Sequence, residues 1–195
     1  RETVTALAAR GELEQVFDLA ERYGADALGT IGFASHYVRG VLRYYEAREV
    51  APEDGPTTDD EAIRLYRRAI DALESAQAAN DAAQYESARA DCTRLVAWSR
   101  YFIGDLLDAR TTFLEAATLL PPEGASDALW MAIVCLDELV AADPDHQALE
   151  DELAELTARF LSEYPGSPHA SKLILRRVVT TGETTREAAS ALLDI

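Results

Sequence analysis

The sequence predicts an all-α fold of stacked antiparallel helix pairs, and three observations carry that prediction. Apolar residues recur at spacings of three and four along nearly the whole chain, the period that places side chains on one face of a helix. Stretches that alternate apolar and polar residues, the mark of a half-buried strand, are nearly absent. The periodic runs are separated mostly by short breaks carrying Gly or Pro, too short for successive helices to be anything but antiparallel neighbours. Together these predict about ten helices in a single domain over residues 1–195.

In chain order, a short hairpin turning at Gly11 leads into a helix with Leu13, Val16, Phe17 and Ala20 inward. Phe33, Tyr37, Val41 and Tyr44 stripe the next helix. A loop from about Val50 to Thr57 follows, with Pro52, Gly55 and Pro56 as its turn residues. Thr58-x-x-Glu61 reads as a capping box opening a helix striped by Ile63, Tyr66, Ile70 and Leu73. The clearest stripe is Tyr85, Ala88, Cys92, Leu95, Ser99 and Phe102, ended by Gly104. A helix from Asp105 then carries Leu106, Ala109, Phe113, Ala116 and Leu120, and Pro121-Pro122 stops it. Ser126 is a candidate cap for a helix with Leu129, Ile133, Leu136 and Val140, broken at Asp143-Pro144. Leu149, Leu153, Leu156 and Phe160 stripe its partner, which runs to Tyr164-Pro165-Gly166. Ser167-Pro168 opens one more helix, and Thr184-x-x-Glu187 a last one.

Composition limits the function. The 195 residues are enough to bury most of their apolar surface without disulfide or metal staples. The charge balance, 35 acidic against 18 basic residues, gives a net charge of -17, and such a surface repels a phosphate backbone. Nucleic acid is therefore not an expected partner. Cys92 and Cys135 lie inside helical patterns without ligand or redox spacing and read as core thiols. The longest apolar stretch, Ala128 to Leu136, is too short to span a membrane. Starting at Arg1 with no apolar leader, the chain reads as a fragment or a processed form, and the choice between cytoplasm and cell envelope is not legible.

Chemistry-bearing motifs are missing. His36, His146 and His169 are dispersed, with no second ligand at metal spacing, so neither a metal nor a cofactor is expected. Asp59-Asp60-Glu61 and Asp143-Pro144-Asp145 stand at helix starts, where acids favour the helix dipole. Glu150-Asp151-Glu152 reads as a solvated helix face, and Arg67-Arg68 and Arg176-Arg177 as surface charges. No Gly-rich phosphate loop or nucleophile elbow occurs, so no catalytic residues are assigned and the expectation is a non-enzyme.

Two units of similar length, Tyr85 to Pro121 and Ser126 to Pro165, repeat the helix-pair pattern. Within the first, Gly104-Asp105-Leu106-Leu107-Asp108-Ala109, then Phe113, Ala116, Leu119 and Pro121, resembles the second half of a tetratricopeptide repeat, and Ala62, Tyr66 and Ala69 echo its small, aromatic, small spacing. The Tyr164-Pro165-Gly166-Ser167-Pro168-His169-Ala170 junction resembles those of bacterial cell-envelope tetratricopeptide proteins. Thr93 stands where the family carries Trp, and Leu156 where it carries a small residue, so the repeats are degenerate.

The resemblance implies a right-handed α-solenoid in which Ala109 and Ala116 permit close helix approach and Phe113 fills the gap between repeats. It also implies a scaffold that binds a protein or peptide partner on a concave surface, with Asp91, Arg94, Trp98 and Tyr101 on or beside it. The off-stripe aromatics Trp98 and Tyr101 are also candidates for core, since a solenoid helix packs on two neighbours. Two other functions stay open: a structural or assembly component of a bacterial envelope, and a regulatory helical domain of a larger enzyme.

Overall fold

The computed structural model describes residues 13–24 and 32–181. The described residues form eight α-helices and no strand: α1 (Leu13–Tyr23), α2 (Phe33–Val50), α3 (Asp60–Gln77), α4 (Glu86–Phe102), α5 (Leu106–Leu119), α6 (Pro122–Ala142), α7 (Gln147–Glu163) and α8 (Pro168–Thr181). One 3-10 turn, Ala82–Gln84, precedes α4. These correspond to eight of the ten expected helices. The arm before Gly11 and the helix after Thr184 lie outside the described residues, so the count is eight here. No described helix is long and apolar enough to cross a membrane.

Each helix packs on its neighbours in the chain, and α2 also touches α4. That α2 and α3 are antiparallel follows from their pairings: Phe33 meets Asp81 just beyond the end of α3, Gly40 meets Leu73, and Tyr44 meets Tyr66. The even-numbered helices also meet one another across the pairs. Tyr37 of α2 donates a hydrogen bond to Asp91 of α4, Tyr101 of α4 donates to Glu138 of α6, and Trp130 of α6 stacks on His169 of α8.

Local chemistry corrects two of the expected helix starts. Asp59, not Thr58, caps α3: its Oδ1 accepts the Glu61 and Ala62 N–H groups at 2.9 Å each. A carboxylate there answers both orphan donors and the positive helix end. Ser126 is not a cap either, because α6 begins at Pro122, whose ring suits the first helical position. Ser126 is buried instead, its Oγ 3.4 Å from that of Ser167. At the start of α2 the cap is tertiary, for Gly32 has no side chain and Asp81 Oδ1 accepts the Phe33 N–H at 2.8 Å from 48 residues away. Gly32 has φ +81°, and a Cβ there would sit 3.0 Å from Asp81 Oδ2. Glycine satisfies both constraints.

The core is two adjoining clusters, with Tyr44 packed against both. One gathers Val16, Phe33, Tyr37, Leu73, Tyr85, Cys92 and Leu95, and the other Tyr66, Phe102, Phe113, Leu129, Leu136 and Phe160. Tyr85 lies just outside α4 as its N-cap rather than opening the helix, and its ring stacks on Phe33 at 4.7 Å. Ala109, Phe113 and Ala116 are fully buried. The buried face of α3 is rotated from the expected stripe. Ala62, Leu65, Tyr66, Ala69, Ala72, Leu73 and Ala76 are buried, while Ile63 and Ile70 are only half-buried. α2 crosses this face closely: a Cβ on Gly40 would lie 2.5 Å from Leu73 Cγ and 3.2 Å from the Ala69 carbonyl oxygen.

Gly40→Ala therefore destabilises the protein even though alanine favours helix by about 1 kcal/mol, because overpacking at a close crossing costs about 1–3 kcal/mol. Ala116→Leu, at a fully buried site on the helix that packs between α4 and α6, loses a similar amount. Urea unfolding midpoints below that of the parent chain are the expected readout for both.

Candidate functional site

The even-numbered helices frame an open groove of about 540 Å³, a volume within the range of peptide side-chain and small-ligand sites. Tyr44 and Arg48 come from α2, Asp54 from the loop after it, Trp98, Tyr101 and Phe102 from α4, Trp130, Met131 and Val134 from α6, and Lys172 from α8. Its floor is a continuous aromatic packing. Tyr66 stacks on Phe102 at 5.2 Å, Trp98 stacks on the same ring at 5.5 Å, and Trp98 meets Phe113 edge to face at 5.4 Å. Such pairs hold rings in fixed orientations beyond what area burial alone does.

Two cations edge the groove in different ways. Arg48 is committed internally: its guanidinium lies 4.5 Å over the Phe102 ring and donates to the carbonyls of Pro52 at 2.9 Å and Glu53 at 2.6 Å. It fastens the loop beside the groove. Lys172 is exposed, its ammonium 5.9 Å from the Trp130 ring centroid, and no ion pair to it occurs among the described residues.

The four residues singled out from the sequence separate. Trp98 and Tyr101 line the groove, but Tyr101 is only 5% exposed and its hydroxyl donates to Glu138 at 3.0 Å. Burial, and then the Glu138 charge, push its phenol well above the usual range. It shapes the groove more than it offers surface. Trp98 is half-buried and presents part of its ring. Asp91 and Arg94 do not line the groove. Asp91 accepts from the Tyr37 hydroxyl at 2.8 Å and from Arg94 Nε at 3.0 Å, which makes it a tie between α2 and α4. Burial works against the Arg94 charge, and Asp91 more than restores it.

Sequence reading missed Arg48, Asp54, Trp130, Met131, Val134 and Lys172. Trp130 carried a signal, since it lies off the stripe of Leu129, Ile133 and Leu136 as Trp98 lies off its own. The others carried none, because their convergence depends on how four helices assemble. Cys92 and Cys135 are fully buried free thiols pushed up to about 12, first by burial and then by the charges of Asp91 and Glu138 respectively. Among the described residues no group of three His, Cys, Asp or Glu side chains is arranged to hold a metal ion.

His169 borders the site. Its ring lies parallel to Trp130 at 4.4 Å and its Nε2 is 3.8 Å from Asp127, while its buried Nδ1 has no hydrogen-bond partner. Burial first and then the Lys172 charge lower its pKa, against the pull of Asp127. An NMR titration is expected to find its midpoint below the ordinary histidine value of about 6.5, and Lys172→Gln is expected to raise it. Because the folded-state pKa is the lower one, the neutral ring's contribution is intact above the unfolded-state value of about 6.5 and is lost as pH falls through the folded-state pKa.

Comparison of the chain with protein-family models, with curated proteins and with solved structures finds no match.

Proposed function

We propose that this chain is a non-enzymatic helical-repeat scaffold of tetratricopeptide type, which holds an extended segment of a partner protein in the groove across α2, α4, α6 and α8. The observation that supports this reading is where the groove's residues come from. Apart from Asp54, every one belongs to alternate helices of the chain, and those helices meet in series through Tyr37–Asp91, Tyr101–Glu138 and Trp130–His169. Stacked helix pairs present one helix of each pair on a common surface, which is how repeat proteins build an extended binding face.

The chemistry of the lining narrows the partner. Trp98 and Trp130 are partly exposed aromatics of the kind that anchor interfaces. Lys172 adds a positive charge beside Trp130 on a molecule of net charge -17. The segment that fits carries an aromatic or large aliphatic side chain for the groove that both indoles line and a carboxylate within reach of Lys172. Longer acidic stretches would meet the negative surface outside the groove and be repelled.

A peptide-display selection against the chain, followed by titration on tryptophan fluorescence, tests this. Selected peptides pair an acidic residue with an aromatic or aliphatic one. Lys172→Glu, a surface change, weakens them at least tenfold, and Trp98→Ala weakens them further with the helical circular dichroism retained. Peptides that bind both variants as tightly as the parent chain would place the partner elsewhere.

A further inference from the structure

A second pocket, of about 470 Å³, lies between α2 and α3 and is lined by His36, Arg39, Arg43, Arg68, Asp71, Ala72 and Ser75. Its charge is the reverse of the chain's. Acids outnumber Lys and Arg by 35 to 18 over the whole sequence, yet three arginines and a histidine converge here against one aspartate. A third pocket, beside Pro122 and Tyr164, shows what the surface otherwise looks like, with Glu123, Asp127 and Glu163 and no basic residue.

The convergence is built by the helix crossing. His36, Arg39 and Arg43 are spaced three and four along α2, and Arg68, Asp71, Ala72 and Ser75 follow the same helical spacing along α3, so each set forms one row. The rows are brought side by side because Gly40 lets α2 approach Leu73 and the Ala69 carbonyl. At 100° per residue, the basic row on α2 lies on a different face from Tyr37, Tyr44 and Arg48, so this pocket is separate from the aromatic groove. Its occupation does not depend on the reading given to that groove.

We infer that this pocket binds a phosphate monoester. Guanidinium groups present planar forks of N–H donors that match the oxygens of phosphate, whereas the Ser75 hydroxyl is already donated to the Asp71 carbonyl at 2.7 Å. His36, Arg39 and Arg43 already make contacts within the chain, and Arg43 is paired with Glu46. Each guanidinium has five donors, so an internal partner and a ligand can be held together. The size of the ligand follows from screening. Beyond about 8 Å at physiological ionic strength the surface charge is screened, so a compact dianion senses mainly the basic rows. A polyanion would run onto the acidic surface around them. The group is thus a small phosphorylated compound or a single phosphorylated side chain, not a nucleic acid.

The test is an NMR titration of the intact chain with inorganic phosphate, phenyl phosphate and N-acetyl-O-phosphoserine amide, at constant ionic strength with chloride as the control. Saturable shifts confined to the lining residues of α2 and α3, absent with chloride, are expected. Arg68→Gln, a change at an exposed site, reduces affinity at least fivefold, and Ser75→Ala, which removes a hydroxyl donated to the Asp71 carbonyl, leaves it within twofold. Arg67→Gln, its exposed neighbour outside the pocket, leaves affinity within twofold. Tighter binding of phenyl phosphate than of the phosphoserine probe would assign the site to small phosphorylated compounds, and the reverse to phosphorylated side chains. Absence of saturation, equal shifts with chloride, or equal losses in the Arg67 and Arg68 variants would overturn the site.

Discussion

The ring of Phe102 is the point on which the described structure turns. It stacks on Tyr66 of α3, carries the indole of Trp98 on α4, meets Tyr44 of α2 at 6.4 Å, and lies under the Arg48 guanidinium. The Phe102 carbonyl accepts the Thr57 N–H at 2.8 Å, so the same residue also holds the end of the loop between α2 and α3. Three helices and one loop therefore take their relative positions from one side chain and its backbone. The groove inherits its shape from this arrangement, since Tyr44, Arg48, Trp98 and Phe102 are all members of it. A rigid aromatic floor suits a binding surface, because side chains already held in place lose little freedom when a ligand arrives.

Around that centre, close approach is secured by small residues and not by charge. Ala69, Ala97, Ala109 and Ala116 are fully buried, and Gly40 faces Leu73 where even a methyl group would clash. Ion pairs contribute in a different place. Arg64–Glu61, Arg94–Asp91 and Arg159–Glu163 link successive turns of single helices. Arg100–Glu74 and Arg110–Glu152 join different helices, at half-exposed positions where such pairs are worth little. With so few cations available, the apolar core must hold the helices together against a net charge of -17.

The aromatic groove and the basic pocket use opposite ways of standing out from the rest of the surface. One gathers large rings that alternate helices leave half-covered, and the other gathers positive charge that the chain as a whole lacks. Both lie along α2, on different faces, and both depend on how that helix meets α3. Gly40 and the Asp81 cap on Phe33 N–H are therefore relevant to two sites while lining neither.

The helical architecture is legible along the chain: where eight helices run, the breaks at Gly104, Pro121 and Pro144, and the burial of Ala109, Phe113 and Ala116. Those features rest on interactions between residues three or four apart, which the chain specifies locally. Which face of each helix became core, groove or solvent depends on how the helices pack on one another. On α4, Trp98 and Tyr101 reach the groove while Asp91 and Arg94 are drawn into a tie with Tyr37, although all four were legible as one region. The cap on α2 comes from Asp81, far along the chain, and the α3 face turned from Ile63 and Ile70 toward its alanines because α2 approaches there. A helix flanked by two neighbours has more than one face with something to bury, and periodicity along its own sequence does not say which neighbour will meet which face.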